Sequence, residues 1–357
     1  MSNNHHWKAQ LDTILLEHNG RHAARNKVVS HSTMAARKLG LERAFMTLRT
    51  LGYKPTPHNL SARHIRALMD YWTAHPVSTM PSPPANDGRR PYSAAYIQQQ
   101  LSFLRVFSRW IGKPGLVLPP YHYVDDLQLV TRHYTAQRDK SWSGQGLDIE
   151  QVMAKVSAID ERVGAQLRML LAFGLRRKEA VMFCPHAAEV PAYALPVHHP
   201  QSGSARYISF LRIKRGTKGG RLRFTAVRND EQRAALAAAY RLARFQHSHL
   251  GHPDLSLKQA LDLFSNVVRK AGLTRAQLGA TPHGLRHEFA GDLFFDIATC
   301  QAPVRAGFPC LDPATMRALY LEVAQQLGHN RPQISNAYLG SPVARTPAPD
   351  SACHLIV

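Results

Sequence analysis

Cysteine is scarce in this chain. There are four in 357 residues, Cys184, Cys300, Cys310 and Cys353. They are too few and too scattered for a disulfide scaffold, and no Cys-x-x-Cys pair is present. Cys184-Pro-His186 lacks a second ligand pair at a metal-binding spacing. Four free thiols in a reducing cytoplasm are therefore expected. Long apolar runs are missing too. Nothing approaches the roughly 18 consecutive apolar residues of a membrane helix. The first residues, Met1–Lys8, are polar and have no apolar segment of the kind a secretory signal needs. A chain that neither spans a membrane nor is exported is expected. Acidic residues are also few. Only 24 Asp and Glu face 45 Lys and Arg, a formal charge of +21.

That imbalance is the strongest compositional signal, and it is not confined to a tail. Residues 1–140 hold 19 Lys/Arg against 8 Asp/Glu, or +11, which leaves +10 for the remainder. A broad positive field favours a polyanion, above all nucleic acid. The 44% hydrophobic content is that of a folded globular chain, and the length suits two domains.

Periodicity divides the chain. Leu41, Phe45 and Leu48 mark one helix face, stopped by Gly52. Ser61 caps a helix with Ile65, Leu68, Met69 and Trp72 on one side. A loop over His75–Pro91 carries five prolines. Ile97, Leu101, Leu104 and Ile111 then define another amphipathic helix, ended by Gly112 and Pro114. Residues 1–135 are expected to form a helical domain, 136–146 a linker, 147–340 a second domain and 341–357 a tail. In the second domain Asp148 caps a helix bearing Val152, Met153, Val156 and Ile159. Another helix, with Val163, Leu167 and Leu170, ends near Gly174. Tyr207–Ile213 and Leu222–Val227 read as strands, with Leu222, Phe224 and Ala226 alternating. Arg215–Gly220 between them is a turn, which gives a β-hairpin. Helices follow at Asp230–His247 and Leu257–Ala271. The predicted class is mainly α with a small β-hairpin or sheet.

Four segments hold residues with chemical potential: Gly174-Leu-Arg-Arg-Lys-Glu179, Thr217-Lys-Gly-Gly-Arg221, His283-Gly-Leu-Arg-His287, and Leu327-Gly-His329 with Tyr338 nine residues on. Each alone has an ordinary explanation. Arg176 pairs with Glu179, Lys218 is a solvated hairpin lysine, and His283 and Arg286 share a helix face. His329 starts a helix, and Tyr338 is half-buried. Together they fit phosphodiester transfer. A tyrosine attacks a backbone phosphate. Two guanidiniums hold the non-bridging oxygens. A histidine donates a further hydrogen bond, and a lysine protonates the leaving oxygen.

In order and in spacing these segments resemble the tyrosine recombinase (phage integrase) family, with His-x-x-Arg-His and Leu-Gly-His…Tyr the most specific pair. The catalytic resemblance spans about Ser143 to Gly340. The helical N-terminal region is loosely similar to the family's SAM-like core-binding domain. The resemblance implies that Arg176 and Arg286 hold the scissile phosphate and that His283 assists in acid–base work. It further implies that His329 donates a hydrogen bond, that Lys218 is the general acid and that Tyr338 is the nucleophile. Lys214 lies four residues before Lys218, but the turn glycines favour Lys218. The implied reaction leaves a 3′-phosphotyrosyl link and needs no metal, cofactor or ATP. Implied partners are double-stranded DNA, further copies of the chain in a tetramer on paired sites, and accessory DNA-bending proteins, in the cytoplasm with the nucleoid. DNA relaxation of the type IB topoisomerase kind, and a non-catalytic DNA-binding protein on the same fold, are the alternatives. The Arg286–His329 interval is longer than the family's usual one, and the segment around 298–318 reads as an insertion.

Overall fold

A computed structural model describes residues 6–22, 27–74, 90–202 and 206–343. The chain divides into two units, Met1–His133 and Tyr134–Val357. Most of the proline-rich loop, 75–89, lies outside the described residues, as does the chain from 344 onward with Cys353 and the apolar Leu355–Val357.

Four helices build the first unit: α1 (His6–His18), α2 (His31–Thr50), α3 (Ala62–Thr73) and α4 (Ala94–Trp110). Their apolar stripes meet in one core containing Trp7, Leu11, Phe45, Leu48, Leu68, Trp72, Leu101 and Phe107. Short polar side chains start the helices. Ser30 accepts from the Thr33 amide and Ser93 from the Tyr96 amide. At Ser61 the sequence makes an unusual capping exchange, in which its own amide donates to His64 Nδ1 at 3.0 Å. Lys113 ends the core by donating to the carbonyls of His58 and Leu60.

The second unit begins with α5 (Ile149–Ile159) and α6 (Glu161–Phe173), capped by Asp148 and Asp160. The short α7 (Arg177–Val181) follows. Then come the strands β1 (Glu189–Pro191), β2 (Ser209–Ile213) and β3 (Arg223–Val227) and the helices α8 (Asp230–Leu242) and α9 (Leu257–Lys270). The chain continues through α10 (Gly284–Ala298), α11 (Pro303–Ala306), α12 (Pro313–Gln326) and α13 (Asn336–Leu339). The fold is mainly helical with a small antiparallel sheet, as expected. The sheet has three strands in the order β1-β2-β3, with Phe210 opposite Val190 and Ala226.

Three expectations differ from the structure. Residues 136–146 do not form a free linker. Trp142 is fully buried and its indole donates to the Thr281 carbonyl at 2.8 Å. The polar side chains that suggested a linker are bonded instead. Asp139 pairs with Arg305, and Ser143 binds Glu288 through both its amide and its hydroxyl. Strand β3 does not alternate between core and solvent. All five of its residues are buried, since α12 packs on it. The stretch 298–318 is partly regular: Asp312 caps α12 and Ala302 and Pro303 are buried. Within it Cys300 and Cys310 form a disulfide with a Cα–Cα distance of 6.5 Å, so these two are not the free thiols expected. Cys184 is free and buried.

A disulfide closing so short a loop is expected to contribute about 2–4 kcal/mol. The double variant Cys300→Ser, Cys310→Ser should therefore melt at a lower temperature than the wild type, and dithiothreitol should lower the wild type to match. Full alkylation of both thiols in the native, unreduced protein would show that the bond is absent.

Candidate active site

The site starts where α6 stops. Gly174 adopts φ +56°, and a Cβ there would lie 2.5 Å from Phe289 Cδ1. Only glycine allows this reversal at such close range. The turn buries Leu175 and delivers Arg176 to the start of α7. Three residues on, Glu179 reaches back. Its Oε2 accepts from the Arg176 amide at 2.8 Å, and its Oε1 accepts from Arg176 Nη1 at 2.6 Å. Glu179 is itself fully buried, and Arg223 Nη2 donates to Oε2 at 2.8 Å. Burial works against its charge, but Arg223 and Arg176 outweigh that and hold the carboxyl at about 2.

Helix α10 supplies the next group. Arg286 has no exposed surface. Its Nη1 donates to the Gly174 carbonyl, its Nη2 to the Leu327 carbonyl at 2.5 Å, and its Nε to the Tyr338 hydroxyl at 3.0 Å. Burial lowers it to about 10, so it stays charged at neutral pH. His283 immediately precedes the helix and His287 lies one turn in. The Tyr338 ring packs 4.8 Å from His287 and 6.2 Å from His283, centroid to centroid. Burial, then Arg286 and Arg176, lower His283 to about 4. Burial, then His283 and Lys140, lower His287 to about 3.

The last group follows α12. Gly328 has φ +78°, and a Cβ there would lie 2.6 Å from Arg223 Cδ. His329 Nε2 sits 3.0 Å from Arg176 Nη2. A guanidinium can only donate, so Nε2 accepts and the ring proton is assigned to Nδ1. Burial, then Arg176 and Arg286, lower His329 to about 4. Tyr338 on α13 is held from behind, where Ser335 Oγ donates to the Tyr320 carbonyl at 2.7 Å.

The structure thus gathers Arg176, His283, Arg286, His329 and Tyr338. Lys218 is exposed in the turn after β2, and its charge contributes to the lowering of His329. Lys214 is exposed as well, four residues earlier. Two neighbours to which the sequence assigned no catalytic role also lie here, His287 from the motif itself and Arg223. His287 packs on Tyr338, and its Nδ1 is buried without a partner among the described residues. Arg223 lies under the whole cluster. An arginine in an alternating strand reads as solvent-facing, and no sequence signal marks it otherwise.

Three imidazoles here resist protonation, which fixes a pH dependence. Their folded values lie below the ordinary 6.5. Unfolded chains therefore take up protons that the native site refuses, and stability falls as pH drops from about 6.5 toward 4. Denaturant unfolding across that range should show the decline, and His287→Asn should make it shallower. An identical slope in the variant would mean that His287 is not held neutral by its surroundings.

Residues 139–292, which include Arg176, Lys218, His283 and Arg286, match the family model described as Integrase. No curated protein sequence matches the chain. Among solved structures, a lambda integrase dimer bound to a COC′ core site is 11% identical, over 95% of this chain and 77% of that one, with a TM-score of 0.48. The Tn1549 transposon integrase in complex with circular intermediate DNA is 15% identical over 96% of both chains, with a TM-score of 0.43. XerA recombinase is 13% identical over 94% of this chain and 93% of that one, with a TM-score of 0.30. Over residues 139–292 the second unit is thus similar to the integrase family.

Proposed function

We propose that this protein is a site-specific DNA recombinase that cuts and rejoins strands through Tyr338. The observation that carries the reading is the Arg286–Tyr338 hydrogen bond at 3.0 Å, with Arg176 and His329 tied to the same two carbonyl-bearing segments. It joins a phenol to guanidiniums and neutral imidazoles, the set that transfer of a phosphodiester requires.

In the proposed reaction Arg176 and Arg286 bind the non-bridging oxygens of the scissile phosphate. Tyr338 Oη attacks phosphorus, the Oη–P bond forms and the bond from phosphorus to the 5′-oxygen breaks. His283, uncharged at neutral pH, accepts the phenolic proton. Lys218 gives a proton to the departing 5′-oxygen, and the hairpin turn must bring it there. His329 donates to the phosphate once Arg176 releases its Nε2 and that nitrogen takes up a proton, which the incoming phosphate's negative charge favours. The products are a 3′-phosphotyrosyl bond and a free 5′-hydroxyl. The bond energy is retained, so a second 5′-hydroxyl can reverse the step on a new strand. The guanidiniums and Lys218 provide the charge a metal would otherwise supply. Duplex DNA is the proposed substrate, and recombination between two sites calls for several copies of the chain, with accessory DNA-bending proteins as further partners.

Covalent capture tests this reading. The probe is a randomised duplex pool carrying a nick, so that the cut cannot reverse. Wild type should yield a denaturant-resistant protein–DNA adduct in EDTA, and sequencing of the captured ends should reveal the target. Tyr338→Phe keeps the ring packed on His287 but should form no adduct while binding DNA as before. An adduct in the Phe variant assigns the nucleophile elsewhere. Arg286→Ala would orphan two buried carbonyls, so Arg286→Lys is the better probe of the clamp. It keeps the charge, loses the fork and should slow cleavage by about 10²–10³.

A further inference from the structure

We infer that Arg223 is a positioning residue for strand cleavage, which keeps Arg176 electrostatically available to the scissile phosphate. The inference rests on the reading of the site as a phosphotransfer centre.

Arg223 is 4% exposed and lies in the middle of the second unit. Its guanidinium hydrogen bonds go to the framework that carries the site. Nη2 donates to Glu179 Oε2 at 2.8 Å and to the Gly174 carbonyl at 3.4 Å. Nη1 donates to Thr225 Oγ1 at 2.6 Å and to the Gln326 carbonyl. Gly174 leads into Arg176, and Gln326 leads through Gly328 into His329. One buried side chain thus ties β3 to both segments that present phosphate-facing groups. The close packing of Gly328 on Arg223 Cδ adds a steric stop on the His329 side.

The charge balance gives this anchor a chemical consequence. Without Arg223, Arg176 alone would neutralise the buried Glu179, and a neutralised Arg176 attracts a phosphate weakly. With Arg223 sharing the carboxylate, three guanidiniums face one acid, and two positive charges remain uncompensated. Arg223 itself has no exposed route to a phosphate. It acts through Glu179, which is why it is a positioning residue and not a catalytic one. A purely apolar filler of the same volume would preserve packing but not this balance.

The test uses the full chain, the nicked randomised duplex pool, and variants Arg223→Met, Arg223→Lys and Arg223→Met with Glu179→Gln. Adduct formation is followed under single-turnover conditions beside duplex affinity and melting temperature. Arg223→Met should slow adduct formation about 100-fold while duplex affinity changes by no more than about threefold. Removing the acid as well should recover about tenfold of that loss, because the unshared negative charge goes with it. Arg223→Lys, which keeps the charge, should fall between wild type and Arg223→Met. Wild-type rates in Arg223→Met overturn the inference. So does a double variant no faster than Arg223→Met, since packing alone would then account for the loss. If Arg223→Met does not fold, Arg223→Lys decides: about tenfold slower cleavage at unchanged affinity supports the inference, and a wild-type rate overturns it. If wild type forms no adduct while folded and DNA-bound, the phosphotransfer reading fails first and the inference falls with it. An adduct in wild type with no Arg223 effect removes the inference alone.

Discussion

Glu179 is a carboxylate with no access to water, and it can exist as an anion only because two guanidiniums enclose it. An isolated buried charge would be prohibitive, so each member of this trio requires the others. Its geometry radiates outward. Through Arg176 it sets the start of α7 and reaches His329. Through Arg223 it fixes β3 against the ends of α6 and α12. Arg286 then shares the Gly174 carbonyl with Arg223 and the Leu327 carbonyl with Arg176. Three elements distant in sequence converge because their arginines compete for the same few acceptors.

That convergence also defines the resting state. Arg286 spends its donors on two carbonyls and the Tyr338 hydroxyl, and Arg176 spends its own on Glu179 and His329. Neither guanidinium is idle while it waits for substrate. An incoming phosphate has to replace existing acceptors, and those it can replace are the weak neutral ones, Tyr338 Oη and His329 Nε2. Both belong to residues with a role in the proposed chemistry. Under the proposed reading, phosphate binding and release of the Tyr338 hydroxyl would be the same event, so the phenol would stay bonded to Arg286 until DNA is seated.

The sequence revealed the helices, their caps and the chemical set, because periodicity and motif spacing are local properties. Asp148 and Ser61 cap helices where short polar residues should, and Gly174 reverses the chain where a glycine precedes a motif arginine. Burial of charge was not legible. Arg223 alternates with Phe224 and looks solvent-facing until α12 covers the second face of β3. The run 136–146 has linker composition, yet its serines and Asp139 exist to satisfy Arg305 and Glu288. The Cys300–Cys310 pair could not be read from four scattered cysteines. In each case the deciding contact is made by a segment far away in the chain, where composition and period carry no information.

The same electrostatics connects the site to the whole molecule. Three cationic guanidiniums and one carboxylate are surrounded by imidazoles kept neutral by burial and by those very cations. Were the histidines to protonate, the added charge would repel the arginines before any anion arrived, so their lowered values stabilise the empty site. A bound phosphate reverses the sign of that effect. Under the proposed reading its negative charge would favour a proton on His329, which faces the phosphate, while His283 stays neutral to accept the phenolic proton. In the same reading, the surplus of 21 positive charges over the chain would draw DNA near.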